Sequence, residues 1–307
     1  MGCSGAERLL ARPPHDSGGS GCGAEAGGGG GTSGGGEVER DDSEGPARRG
    51  GRALLALREA GFDKGSKEAW SVLLSAVMAG FYIAIGAAVF VRAQALGSGP
   101  LVGALLFPAG LSFVVLTGCE LLTSNMMFGL LPVLSGDRRR TGAGHLSAHA
   151  RLLALSLLGN AAGCALVAAA LAASLDPDLA VFGPLASKKT SLSAPAVLAK
   201  AVAANWLVNL AVFQSAQAEE PAHKVALIWL PIASFVLLGL EHSVANLFLL
   251  PAALLAGAPV SWSDVVLGNL LPCLAGNQLG AALFAAGQWH VAQASAKGKL
   301  ARQLLRV

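Results

Sequence analysis

Gly118-Cys119-Glu120-Leu121-Leu122-Thr123-Ser124-Asn125 and Gly239-Leu240-Glu241-His242-Ser243-Val244-Ala245-Asn246 follow one pattern, G-x-E-x4-N. Each lies inside an apolar segment, 93–136 and 225–263, that is too long for one membrane span. A span needs about 20 residues. An acidic residue beside a glycine in the middle of such a segment reads as a broken helix, because irregular backbone at membrane depth survives only where protein or a polar path surrounds it. A second pattern, G-N-x-x-G, follows each break, at Gly159-Asn160 with Gly163 and at Gly276-Asn277 with Gly280. Two patterns recurring in the same order are an internal repeat.

The remaining apolar stretches complete each copy. Segments 69–91, 152–175, 201–218 and 265–291 are each suited to one span. With the two broken segments they predict six transmembrane helices, three per repeat, with the second and fifth broken. An odd number of spans turns the second copy upside down. Inverted repeats with paired broken helices place their polar groups on a solute path. The expected fold class is therefore an all-α multi-pass membrane protein.

Composition agrees with that class. Hydrophobic residues make up 53% of the 307 positions and charged residues 13%, about half the charge of a soluble domain. The net charge of +3 sits in short basic clusters between apolar segments, so it carries no nucleic-acid signal. The inner flanks would hold Arg58, Lys64, Lys67, Arg138, Arg139, Arg140, Arg151, Lys224, Lys297, Lys299, Arg302 and Arg306. The outer loops would hold Arg92, Lys188 and Lys189. That bias puts both termini on the cytosolic side. The plasma membrane is the expected location, with an organelle envelope as the alternative.

Residues 1–64 read as a disordered tail with glycine runs at 27–31 and 34–36, too polar to offset the entropy of ordering. The membrane domain is expected over 65–292 and a basic cytoplasmic tail over 293–307. The start, Met1-Gly2-Cys3-Ser4-Gly5-Ala6, departs from the myristoylation pattern at Ala6. The five cysteines show no metal-ligand spacing, and no metal or cofactor is expected. Glu120 and Glu241 are expected to cap backbone freed at the breaks. His242 beside the second break can donate, accept or change charge near neutral pH.

The two break motifs, Asn205-Trp206-Leu207-Val208-Asn209-Leu210-Ala211-Val212, and Asn269-Leu270-Leu271-Pro272 with Gly276-Asn277 resemble the signatures of the formate–nitrite transporter family. The resemblance covers roughly residues 65–292. It implies a homopentamer of aquaporin-like protomers, each with its own pore. It matches Thr123 and His242 to the pore centre. Lys189 matches the lysine of the outer vestibule, with Lys188 as a neighbour that could substitute. Asn205 and Asn277 match pore asparagines. Phe107, Leu111, Leu121 and Phe235 match two hydrophobic constrictions on either side of the histidine. Leu122 and the Cys273-Leu274 pair depart from the family pattern, which leaves the constriction size and the choice of solute open.

The function so implied is channel-like passage of a small monovalent weak-acid anion such as nitrite or formate, in a lipid bilayer. Protons accompany it if the solute crosses as the neutral acid, because an unpaired charge is costly in a dry constriction and desolvation favours the protonated form. Bicarbonate or another small carboxylate is the alternative solute. An intramembrane enzyme is the alternative of a different class. It would need an assembled nucleophile or metal set, and Glu241-His242 lacks the second histidine of an H-E-x-x-H helix.

Overall fold

A computed structural model describes residues 46–174 and 181–304, and these are helical throughout their regular elements. Helix α1 (Pro46–Ser66) precedes the first span. The first repeat holds α2 (Ala69–Ala95), the broken series α3 (Gly99–Leu106), α4 (Ala109–Thr117), α5 (Leu122–Phe128) and α6 (Leu131–Leu134), and α7 (Gly142–Ala173). After the short α8 (Phe182–Thr190), the second repeat holds α9 (Ala194–Ser215), the broken pair α10 (Pro221–Leu237) and α11 (Ser243–Leu255), and α12 (Leu271–Leu304), which follows a π-helical turn, Asp264–Leu270.

Five helical stretches are long and apolar enough to cross a bilayer unaided: Ala69–Ala95, Gly99–Thr117, Gly142–Ala173, Ala194–Ser215 and Asp264–Ser295. The sixth expected span is divided between α10 and α11, each too short alone. Both breaks come at a glycine in the left-handed region, Gly118 at φ 69° and Gly239 at φ 62°. That conformation is strained for residues with a Cβ. It turns the chain out of α4 and out of α10 at matching places.

Within each repeat the first and last spans pack closely at the G-N-x-x-G motif. A Cβ on Gly163 would lie 2.1 Å from the Val77 carbonyl oxygen on α2, and one on Gly280 would lie 2.4 Å from the Val202 oxygen on α9. The motif thus lets α7 meet α2 and α12 meet α9, as small residues do at membrane helix interfaces.

Polarity is distributed as a bilayer requires. Leu158, Leu166, Leu230 and Leu267 are each about 60% exposed or more, while Asn125, Asn160, Asn205, Asn209, Asn246, Asn269 and Asn277 are fully buried. Water as solvent would favour the reverse. The chain is an integral membrane protein.

The expected tail over residues 1–64 is corrected in its last third. Residues 46–64 lie within α1, where Ala53, Leu54 and Leu57 are buried. Their spacing of three and four places one apolar stripe on a helix, and α1 packs against α5, α6, α7, α9 and α12. The expectation for residues 1–45 lies outside the described residues. At the other end α12 runs through the 292–293 boundary to Leu304.

Candidate functional site

The two breaks are held by the same set of bonds. In the first repeat Asn160 Oδ1 accepts from the Leu122 N–H at 2.8 Å, and its amide donates to the Ala76 and Glu120 carbonyls. In the second, Asn277 Oδ1 accepts from the Ser243 N–H at 2.8 Å, and its amide donates to the Ala201 and Glu241 carbonyls. One asparagine thus satisfies a freed N–H and a freed C=O of the break while tying it to the neighbouring span. Unpaired, each such group would be costly at membrane depth.

Two expected roles are corrected by this arrangement. Glu120 and Glu241 do not cap backbone N–H groups among the described residues; the asparagines do. The carboxylates are instead turned to side-chain cations. Glu120 accepts from Lys64 Nζ at 2.6 Å, Lys67 Nζ at 2.8 Å and Asn125 Nδ2 at 3.0 Å. Glu241 accepts from Lys189 Nζ at 3.0 Å to both oxygens and from Asn246 and Asn269. A buried carboxylate needs a paired charge more than a neutral N–H can supply. Asn277, expected as a pore asparagine, spends both ends of its amide on the break. Asn205 donates to the carbonyls of Thr123 and Asn277, so it ties the first break to α12 at the asparagine that supports the second.

His242 is the N-cap of α11: its Nδ1 accepts from the Ala245 N–H at 3.1 Å. An acceptor at Nδ1 assigns the ring hydrogen to Nε2. Nε2 lies 2.9 Å from Thr123 Oγ1, so the imidazole donates to the threonine hydroxyl. The threonine hydrogen is then left to point elsewhere. A proton added at Nδ1 would remove the cap and place a positive charge at a helix N-terminus, where the dipole disfavours it.

One cavity reaches His242 and a second reaches Ser124, the neighbour of Thr123. The first, of about 70 Å³, is lined by Phe90, Phe107, Leu185, Lys189, Phe235, His242 and Asn246 among others. Phe107 and Phe235 meet edge to face at 5.5 Å, and the Phe235 ring lies 5.6 Å from that of His242. The other cavity, of about 190 Å³, is lined by Lys64, Val114, Val115, Ser124, Phe128, Val212 and Lys224 among others. Leu111 and Leu121 are buried and line neither cavity. Lys188 is exposed, whereas Lys189 turns inward to Glu241. Lys64, one of the basic residues of the inner flank, turns inward to Glu120. Glu120 in the middle of an apolar segment is the sequence signal for such a partner, because a carboxylate buried at that depth requires a cation.

A helical membrane protein with two inverted breaks meeting at a Thr–His bond, each break carrying a lysine–glutamate pair, is the class these features define. The family model for the formate/nitrite transporter matches residues 52–291. The chain belongs to that family. It is 35% identical over 239 residues to the uncharacterized transporter YrhG of Bacillus subtilis (strain 168), covering 75% of this chain and 87% of the relative. It is 35% identical over 242 residues to a probable formate transporter of Methanothermobacter thermautotrophicus, covering 70% and 86%. Among solved structures, a pentameric formate channel with formate bound superposes with a TM-score of 0.62 at 26% identity, covering 72% of this chain and 96% of that one.

Proposed function

We propose that this protein is a channel-like transporter that passes small monovalent weak-acid anions, formate and nitrite among them, one pore per protomer of a homopentamer. The observation that carries the reading is the buried Thr123–His242 bond, with one lysine-bearing cavity lined by His242 and a second lined by Ser124, the neighbour of Thr123. The pentamer is supported by the likeness to the pentameric formate channel. Plasma-membrane placement, with α1 and the Lys64 cavity on the cytosolic side, rests on the excess of basic residues on that flank.

The chemistry runs from the Lys189 side. Lys189, with Lys188 and Lys200 near the same break, outweighs Glu241 and collects monovalent anions. Lys189 gives two hydrogens to the carboxylate, which leaves its third for a solute. The gap between Phe107 and Phe235 offers no hydrogen bond, so the anion's own pKa rises as it loses water. It takes a proton from the vestibule and enters as the neutral acid. Thr123 then donates its free hydroxyl hydrogen to a solute oxygen. His242 stays neutral, holds Thr123 in that orientation, and does not itself surrender a proton. Leu111 and Leu121 form the second apolar barrier. Beyond it the acid ionises again beside Lys64 and Lys224.

The test is influx of formate or nitrite into proteoliposomes loaded with a pH dye. Internal acidification matched to uptake is expected, saturating with solute. Uptake that builds a membrane potential without acidification would remove the neutral-acid step. A panel that includes bicarbonate and larger carboxylates distinguishes the solutes.

A further inference from the structure

The two repeats satisfy their paired asparagines differently, and the difference lies in the π-helical turn before α12. In the first repeat Asn125 donates to Glu120 and, at 2.8 Å, to Ser156 Oγ on α7. Ser156 stands three residues before Gly159. Three residues before Gly276 stands Cys273, whose sulfur is 3.9 Å from Asn246 Nδ2, too weak an acceptor at that range to replace the serine. Asn246 turns instead to Asn269 Oδ1 at 2.7 Å. Asn269 is one turn earlier, within the π-helical turn Asp264–Leu270. Its counterpart in the first repeat by the same count, Leu152, is buried and apolar.

Asn269 does more than accept from Asn246. Its Nδ2 donates to Glu241 Oε2 at 3.2 Å and to the Lys189 backbone carbonyl at 3.3 Å. A single buried amide therefore touches both members of the Lys189–Glu241 ion pair, the carboxylate directly and the lysine through its backbone. In the first repeat no α7 side chain is bonded to both members of the pair among the described residues: Arg151 donates to the Lys67 carbonyl at 2.8 Å but not to Glu120, whose cations come from α1 and the residue after it. A lysine loses much side-chain entropy on being held in one geometry. Fixing its backbone is one way to reduce what the ion pair must itself supply.

We propose that Asn269 is a positioning residue for transport: it clamps the α8 backbone at Lys189 to the Glu241 carboxylate and so fixes the lysine head at the mouth of the pore. The serine-to-cysteine difference between the repeats is what directs Asn246 to this asparagine. The proposal rests on the reading of Lys189 as the anion-collecting group.

Reconstituted full-length protein tests it with Asn269→Leu, with Asn269→Leu/Cys273→Ser, which rebuilds the Leu152–Ser156 arrangement, and with Lys189→Ala as reference. Two readouts are taken. One is half-saturation for formate influx at low and high ionic strength. The other is the rate at which a sulfonated succinimidyl ester modifies Lys189, read by peptide mass spectrometry. Asn269→Leu should raise half-saturation several-fold, flatten its salt dependence and speed the modification of Lys189 several-fold. The double variant should regain assembly and thermal stability, because Asn246 again has an acceptor, but neither the half-saturation nor the slow labelling. Wild-type values of both in the double variant would show that Asn269 serves Asn246 alone, and would overturn the proposal. Unchanged labelling in Asn269→Leu would overturn the clamp regardless of flux. Faster labelling in Asn269→Leu, together with wild-type uptake in both that variant and Lys189→Ala, would leave the clamp standing and remove the role given to Lys189.

Discussion

His242 Nε2 lies 2.9 Å from the Thr123 hydroxyl, a bond between residues 119 positions apart that joins the two repeats at their breaks. Because His242 Nδ1 is committed to the Ala245 N–H, the direction of the bond is fixed from histidine to threonine. The hydroxyl hydrogen of Thr123 becomes the one free donor of the pair.

Removing that hydroxyl should stop transport without dissolving the fold. Thr123→Val keeps the volume, deletes the donor, and leaves the His242 N–H buried without an acceptor, at about 1–3 kcal/mol. Formate flux should fall at least about tenfold, the equivalent of about 1.4 kcal/mol, with the oligomer intact on size exclusion. Thr123→Ser should keep most of the flux. Unimpaired flux in the valine variant would show the hydroxyl to be dispensable.

The two roles of His242 separate by substitution. Asparagine is a good N-cap but is too short to reach Thr123 in place of Nε2. His242→Asn should therefore unfold within about 1 kcal/mol of wild type and still lose transport. His242→Phe should lose transport and the cap together. Thermal unfolding read beside flux decides it; a fully active asparagine variant would mean that the cap alone matters.

Asn160 and Asn277 should prove equivalent. Replacing either by leucine strands a backbone N–H and two carbonyls in the interior, at about 1–3 kcal/mol for each group left wholly unpaired. Both variants should lose assembled protein in detergent to a similar degree. Tolerance of one alone would mean that the two breaks do not share a common support.

Lys64 and Lys67 should be jointly essential to the first break. Glu120 is fully buried, and Lys64→Met alone leaves it the Lys67 partner at 2.8 Å. The double variant Lys64→Met/Lys67→Met leaves a buried carboxylate uncompensated, at about 3–5 kcal/mol, and should not assemble. Adding Glu120→Gln to that background should restore folded protein, as judged by size exclusion and thermal unfolding. If it does not, the lysines serve the fold by some other contact.

The inverted repeat was legible in the sequence because its marks are local. Gly118 and Gly239 must be glycine for a backbone reason, and Gly163 and Gly280 for a packing reason. A bilayer punishes Glu120, Glu241 and His242 wherever they stand in an apolar run. Those constraints act within one helix or between a helix and lipid, so a linear pattern carries them. Partner choice is different. That Asn277 supports the break while Asn205 bridges to Thr123, that the glutamates face lysines, and that Ala53, Leu54 and Leu57 of α1 are buried all depend on which helix lies opposite. Asn269 and Cys273 make the point most clearly. Asn269 stands in a signature motif, and Cys273, four residues on, departs from the family pattern. Only the packed structure showed that the cysteine's weak acceptor turns Asn246 toward the asparagine one turn away, and that this asparagine also reaches Lys189 across the fold. Hydrogen bonds act over about 3 Å, and sequence sets the groups that can form them but not the distances between segments 80 residues apart.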